Sequence, residues 1–342
     1  MTTHNTSLKN AATWAAIGAG VYVAALLYKS LRRFNFEGKV VLITGGSRGL
    51  GLVMARQLAA KGARLAICAR TVDQLGQAHV ELEAAGAEVM SLKTDVTDAR
   101  QVEEMIGDVV AHYGRLDVVI NNAGVIQVGP QDAMEIEDYE LAMKSNFWSA
   151  LYTMLAVIPH FKKQRSGRIV NITSIGGKVA VPHLLPYTAS KFALVGLSEG
   201  MHAALYKHGI RVTTVVPNLM RTGSSRNAIV KGQHEAEYAW FKLADAAPVL
   251  SQNADRAARR IIRAVEYGEP EIMLSPAVSL ASFAAGVAPN LIAGVMKLAE
   301  ALLPANTSAT TGSKKGFQSE SALSRGPVGA LSDKAAVRNN EY

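Results

Sequence analysis

Cysteine is almost missing from this chain: its 342 residues include one, Cys68. A single thiol excludes a disulfide framework and a cysteine-ligated metal site. It sits in the apolar run Leu65-Ala66-Ile67-Cys68-Ala69, which predicts a buried, unreactive thiol. The eight histidines show no metal-ligand spacing, so no metal is expected. Internal repeats are absent as well. Charged residues make up 19% of the chain against 49% hydrophobic, with a formal net charge of +8. A basic balance raises the question of nucleic acid. The basic side chains, however, are not gathered into an aromatic-interleaved stripe, so no nucleic-acid partner is expected. An anionic cofactor and a membrane surface account for the charge.

What the chain has is alternation. Strand-like runs at 39–44, 64–69, 88–92, 116–121, 168–174, 210–216 and 270–274 alternate with helical patterns at 50–61, 72–85, 98–113, 135–162, 187–207 and 254–267. Gly62, Gly86, Gly114 and Gly209 stand where helices end. This predicts one α/β core: a Rossmann-type doubly wound parallel sheet of about seven strands, covered on both faces. Ligands of such sheets bind beyond the carboxyl ends of the strands. The segments 44–51, 121–124, 174 and 217–222 all fall there.

The first run, Lys39-Val40-Val41-Leu42-Ile43, passes at once into Thr44-Gly45-Gly46-Ser47-Arg48-Gly49-Leu50-Gly51 and then into a helix. Glycines in that place let a backbone approach a pyrophosphate at the helix N-terminus. Far downstream come Ser174, Tyr187 and Lys191. Tyr187 and Lys191 are four apart and so share one helical face. A free phenol titrates near ~10. A close positive charge favours phenolate, so Lys191 is expected to lower Tyr187 and make it a general acid/base. Ser174 ends the run Arg168-Ile169-Val170-Asn171-Ile172-Thr173, where its hydroxyl can hold a substrate carbonyl oxygen.

With these residues, and with Asp95-Val96, Asn121-Asn122-Ala123-Gly124 and Asn146, the chain resembles the short-chain dehydrogenase/reductase family over residues 38 to 276. The resemblance implies an oxidoreductase that moves a hydride between a nicotinamide cofactor and a CH–OH group. It implies cofactor contacts from Gly45, Ser47, Arg48, Gly49, Leu50 and Gly51. It implies more from Val96, Asn122, Ala123, Gly124, Pro217 and Thr222, with Asp95 at the adenine and Tyr187 beside the nicotinamide. Lys191 would also hold the nicotinamide ribose, and Asn146 would support a proton relay through water. A homodimer or homotetramer built on the helices around Asn146 and Tyr187 is implied too. One departure is visible: the family's Pro-Gly after the sixth strand is here Pro217-Asn218, and asparagine tolerates unusual backbone angles.

Cofactor choice is also legible. An NAD site usually places an acid on the ribose about 20 residues past the glycine loop. Here the second strand ends Ile67-Cys68-Ala69-Arg70, without one. Arg70 and Arg48 are expected to grip a 2′-phosphate, which selects NADP(H). Between Gly223 and Leu250 lie Ile229, Val230, Tyr238, Trp240, Phe241 and Leu243, and the stretch 179–186 is apolar. They predict a pocket for a lipophilic carbonyl or alcohol; packing of a lid alone is the other reading. His183 is expected in the lid or the wall, not in the chemistry.

The flanks read differently. After a polar segment, 1–10, residues 11–28 carry no charge and would span about 27 Å as a helix. Lys29, Arg32, Arg33 and Lys39 follow, which predicts a single-pass anchor with the catalytic domain on the cytoplasmic side and membrane lipid as a partner. A cleaved signal peptide and a surface-lying helix are the alternatives. Residues 277–303 form two apolar pieces broken at Pro289-Asn290, packed on the domain or a partner, or touching the membrane. Residues 304–342, rich in Ser, Thr, Gly and Ala, are expected to be disordered. The whole reads as an anchored NADPH-dependent carbonyl reductase. An NADP⁺-linked lipid alcohol dehydrogenase and a membrane-tethered nucleotide-binding scaffold are the alternatives. The scaffold has no need of a phenol–ammonium pair.

Overall fold

The computed structural model describes Trp14, Gly20 and residues 33–248, 251–305 and 312–342. Contacts divide the chain into residues 1–35 and 36–342. The expected anchor and the polar segment before it lie outside the described residues, apart from Trp14 and Gly20. Among the described residues no helix is long and apolar enough to cross a membrane.

Residues 36–342 are organised by one sheet of seven parallel strands: β1 (Val40–Thr44), β2 (Arg64–Ala69), β3 (Val89–Lys93), β4 (Val118–Asn121), β6 (Gly167–Ile172), β7 (Ile210–Val216) and β11 (Glu271–Met273). Their order is β11-β7-β6-β4-β1-β2-β3. Every expected strand is present, within two residues at each end. Val41 pairs with Leu65 on one side and Val118 on the other, so β1 is central and buried at all five positions. A strand covered on both faces reads as an unbroken apolar run, and this is why the sequence betrayed it.

Helices α1 (Gly49–Ala59), α2 (Val72–Ala84), α3 (Ala99–Tyr113), α4 (Ile136–Met143), α5 (Ser149–Gln164), α6 (Leu185–Leu205), α7 (His234–Ala246) and α8 (Ala254–Tyr267) complete the domain. Met105, Ile106, Met154, Val157 and Phe161 from α3 and α5 pack on Leu42, Val119 and Ile169 of the sheet. Asp98 caps α3 by accepting from the Arg100 and Gln101 N–H groups, and Gly114 ends that helix in a left-handed turn. The long helix expected at 135–162 is interrupted. Between α4 and α5, Lys144–Trp148 form a π turn, a widening that often marks functional positions. The apolar pieces of 277–303 are α9 (Pro276–Val287) and α10 (Pro289–Glu300), with Leu280, Phe283, Leu291 and Leu298 exposed.

The expectation of a disordered tail is corrected. Residues 312–342 are folded onto the domain. Here β12 (Lys314–Lys315) pairs antiparallel with β9 (Ile229–Val230), which pairs in parallel with β5 (Gln127–Val128). A second small pair joins β8 (Leu219–Arg221) to β10 (Ser251–Asn253). Helix α11 (Gly329–Arg338) packs on α7. Polar side chains hold the tail where an apolar stripe is thin. Asn339 donates to the Thr222 carbonyl at 3.1 Å. Lys242, 1% exposed, meets Asp333 at 2.7 Å and Glu320 at 3.4 Å, both carboxylates coming from the tail.

A buried ammonium stripped of its partners is costly. The double variant Glu320→Gln/Asp333→Asn is therefore expected to lose about 3 kcal/mol of stability in urea unfolding. Adding Lys242→Met should return most of it. Unchanged stability in the double variant would mean that the tail is not docked in solution.

Candidate active site

At the carboxyl edge of the sheet lies a cavity of about 430 Å³. Every site residue expected from the sequence lines it except Gly51, which sits beneath. A Cβ on Gly51 would collide with the Gly45 carbonyl and the Asn122 amide, so that close approach admits only glycine. Gly49 begins α1 at φ 56, again a glycine conformation. Thr44 and Asn122 tie β1 to β4. The Asn122 and Ala123 N–H groups donate to Thr44 Oγ1 at 3.0 and 3.1 Å, and Asn122 Nδ2 donates to the carbonyls of Thr44 and Gly45, each at 3.1 Å. Asn121 Nδ2 donates to Asn171 Oδ1 at 2.8 Å, so this amide pair knits β4 to β6. Asp95 opens a tight turn by accepting from the Thr97 N–H at 3.0 Å. Pro217 accepts from the Ile175 N–H at 2.7 Å, and the turn with Asn218 needs no left-handed residue.

Ser174 leaves β6 in an extended conformation and accepts from the Gly176 N–H at 3.0 Å. Tyr187, in the first turn of α6, is hydrogen-bonded to the Ser174 side chain. Lys191 lies one turn further, its Nζ 5.6 Å from the centre of the Tyr187 ring and donating to the Ile172 carbonyl at 2.9 Å. Burial pushes the Lys191 ammonium down to about 8. Burial also raises the Tyr187 phenol above its ordinary value, against the opposing hydrogen bond from Ser174. The expected lowering by Lys191 is thus corrected: desolvation disfavours phenolate, and the ammonium is engaged with a carbonyl. Tyr187 is consequently a protonated donor at neutral pH. Asn146, 1% exposed, occupies the π turn. Its Oδ1 accepts from the Val125 N–H at 2.9 Å, and its Nδ2 donates to the Val125 carbonyl at 3.1 Å and to Ser190 Oγ at 2.9 Å. It braces the exit of β4 against α6.

Near Tyr187, Val181, Leu184, Trp240 and Phe241 line the cavity, while Tyr238 is buried and does not line it. His183 stays out of the cavity, in a left-handed conformation with φ 57. Its Nδ1 lies 2.8 Å from a Glu237 oxygen and its Nε2 3.4 Å from Glu300. Burial opposes its charge, but the two carboxylates hold its pKa above the ordinary value. It braces Glu237 and Glu300 beside the cavity without lining it. Cys68 is buried and its thiol is pushed up to about 12 by that burial, consistent with an unreactive core residue.

At the end of the cavity beside β2, Arg48 reaches Gln74 Oε1 at 3.4 Å, and Arg70 lines the cavity too. What sequence reasoning missed is the tail. The Gly49 N–H donates to the Asn339 carbonyl at 2.8 Å, and Asn340 Nδ2 donates to the carbonyls of Ser47 and Gln74, each at 2.9 Å. The Glu341 side chain, 3% exposed, lies 3.5 Å from Arg48 and accepts from Asn227 at 2.8 Å. Burial raises its carboxyl above the ordinary range. Asn-Asn-Glu in a polar stretch carries no periodicity that could have announced this.

The cavity's donors fit a dinucleotide: a glycine cradle at a helix N-terminus, arginines at one end and a phenol–ammonium pair at the other. Residues 39–231 match the short chain dehydrogenase family. The chain belongs to that family. It is similar to a fatty acyl-CoA reductase of Acinetobacter baylyi, at 30% identity over 283 residues, 82% of this chain and 90% of the relative. Among solved structures it is similar to a short-chain dehydrogenase/reductase from Burkholderia phymatum in complex with NAD, with a TM-score of 0.69, 25% identity and coverage of 75% of this chain and 96% of that one. It is also similar to a gluconate 5-dehydrogenase from Burkholderia cenocepacia in complex with NADP and tartrate, with a TM-score of 0.64, 27% identity and coverage of 73% and 99%.

The depressed Lys191 sets a pH limit on this family member. Its ammonium is charged below about 8 and neutral above. For carbonyl reduction, kcat/KM, which reports the free enzyme, is expected to hold near neutrality and fall as pH rises through about 8. A profile flat to pH 10 would show that Lys191 keeps its proton.

Proposed function

We propose that this oxidoreductase is an NADPH-dependent enzyme that interconverts a lipophilic carbonyl compound and its secondary alcohol. The observation that carries the reading is the convergence of Ser174, Tyr187 and Lys191 under an apolar wall formed by Val181, Leu184, Trp240 and Phe241. A nicotinamide dinucleotide held by the glycine cradle, Arg48 and Arg70 would supply the hydride on reduction and accept it on oxidation. Ser174 holds the substrate oxygen. Tyr187 gives that oxygen a proton on reduction and takes one back on oxidation, and Lys191 keeps positive charge beside the phenol. Trp240 and Phe241 exclude water and favour an apolar substrate. Two findings support the details: arginines stand at the adenosine end without the usual acid, and a relative is named for reducing a fatty acyl-CoA. The neighbours hold NAD in one case and NADP in the other, so the NADPH preference rests on Arg48 and Arg70. Oxidation of a lipid alcohol uses the same residues in reverse. Self-association through α5 and α6 is also proposed, with Leu155 and Phe192 exposed there.

Oxidation of NADPH and NADH against a panel of ketones and aldehydes tests the reading. Tyr187→Phe should lower turnover by at least ~10² while leaving NADPH binding intact. Near wild-type turnover in that variant, with chemistry still rate-limiting, would remove Tyr187 from the mechanism.

Residues 11–28 are proposed as a single-pass anchor that holds this domain at the cytoplasmic face, on the strength of the uncharged run and of Lys29, Arg32 and Arg33 after it. Among the described residues the first buried core side chain is Phe36. A 34–342 form should therefore remain active in the supernatant while the full chain sediments with membranes. Full-length, uncleaved protein in the soluble fraction would rule the anchor out.

A further inference from the structure

We propose that Lys315 is the third cation of the adenosine 2′-phosphate site, delivered to the dinucleotide by the C-terminal tail. The inference rests on the NADPH reading and names a residue outside the segment that matches the family, 39–231. Three observations carry it.

The first is placement. Lys315 lines the same cavity as Arg48, Arg70, Thr71 and Gln74. Its backbone is fixed there: Lys315 pairs with Ile229, its N–H donates to Gln318 Oε1 at 2.9 Å, and the next N–H, of Gly316, donates to the Ala228 carbonyl at 2.9 Å. Alternation along a strand sends neighbouring side chains to opposite faces. Lys314 accordingly is absent from the cavity lining, so the two lysines are distinguished by geometry and not by composition.

The second is uncompensated charge. Among the described residues neither Arg70 nor Lys315 makes an ion pair with a carboxylate, and Arg48 has one, at 3.5 Å, with Glu341. Three cations turned to one end of a cavity repel one another. Partial desolvation, then Arg48 and Arg70, push the Lys315 ammonium below its ordinary value. Such a cluster is unfavourable alone and becomes favourable around a multiply charged anion.

The third is the shape of the donors. Two guanidinium groups offer flat, forked donors, and an ammonium offers a compact point charge from another direction. A phosphate monoester has three terminal oxygens to receive them. The hydroxyl of NADH offers no charge, so the cluster discriminates between the two cofactors.

The test is equilibrium binding by titration, without turnover. NADPH, NADH and adenosine 2′,5′-bisphosphate are each titrated into full-length wild type, Lys315→Ala, Lys315→Arg and Lys314→Ala. Lys315→Ala is expected to weaken NADPH and the bisphosphate about tenfold and to leave NADH unchanged, the scale of one charge-assisted contact. Lys315→Arg should retain most of the affinity, and Lys314→Ala all of it. If wild type prefers NADPH while Lys315→Ala binds it equally well, the role of Lys315 is overturned and the NADPH reading stands. If wild type shows no preference for NADPH, the reading and the inference fall together. Equal weakening of NADPH and NADH in Lys315→Ala would show a disturbed tail, and would also overturn the inference.

Discussion

The site depends on a topological constraint at β1 and β4. They are neighbours in the sheet, yet the chain runs from β1 outward through β2 and β3, and from β4 outward the other way through β6, β7 and β11. With right-handed crossovers, the connections leave these two strands toward opposite faces, and a crevice must open at their carboxyl ends. The crevice could close or splay if the strands were not pinned. Thr44 and Asn122 pin them, with donors and acceptors satisfied mutually across the gap. Each such bond contributes about 1 kcal/mol net, but leaving its buried groups unpaired would cost more. Registration of the cofactor cradle against the catalytic helix follows from this local lock.

The same logic explains why so much was legible and why some was not. The seven strands were readable because β1, β2 and their neighbours are buried on both faces, and burial on both faces writes itself as a run of Val, Ile and Leu. Ser174, Tyr187 and Lys191 were readable because their residue types and spacing fit one chemistry. The tail was not. It docks through Asp333 and Glu320 on Lys242, through Asn339 on Thr222 and through backbone pairing of Lys314 and Lys315. None of these leaves a periodic mark in the sequence, since every partner is distant along the chain. The π turn at Asn146 was hidden for a related reason: one inserted residue widens a helix without altering its composition.

Spacing also gave the phenol–ammonium geometry but not its electrostatics. Placing Lys191 four residues after Tyr187 fixes which side of the helix they share. How far each departs from its solution acidity is set by desolvation, which depends on everything packed above them. Here burial keeps the phenol neutral and weakens the hold of Lys191 on its proton. The raised value means that Tyr187 carries the proton that reduction needs; it does not make the phenol a stronger acid.

Residues 339–341 have one more bearing on the cofactor. The Asn339 carbonyl takes the Gly49 N–H and Glu341 takes Arg48, two groups that an anion at this helix N-terminus would use. Seating an anion on those two groups would require residues 339–341 to share them or give them up. Because that segment belongs to the same chain, such an exchange would be intramolecular, and dilution would leave it unchanged.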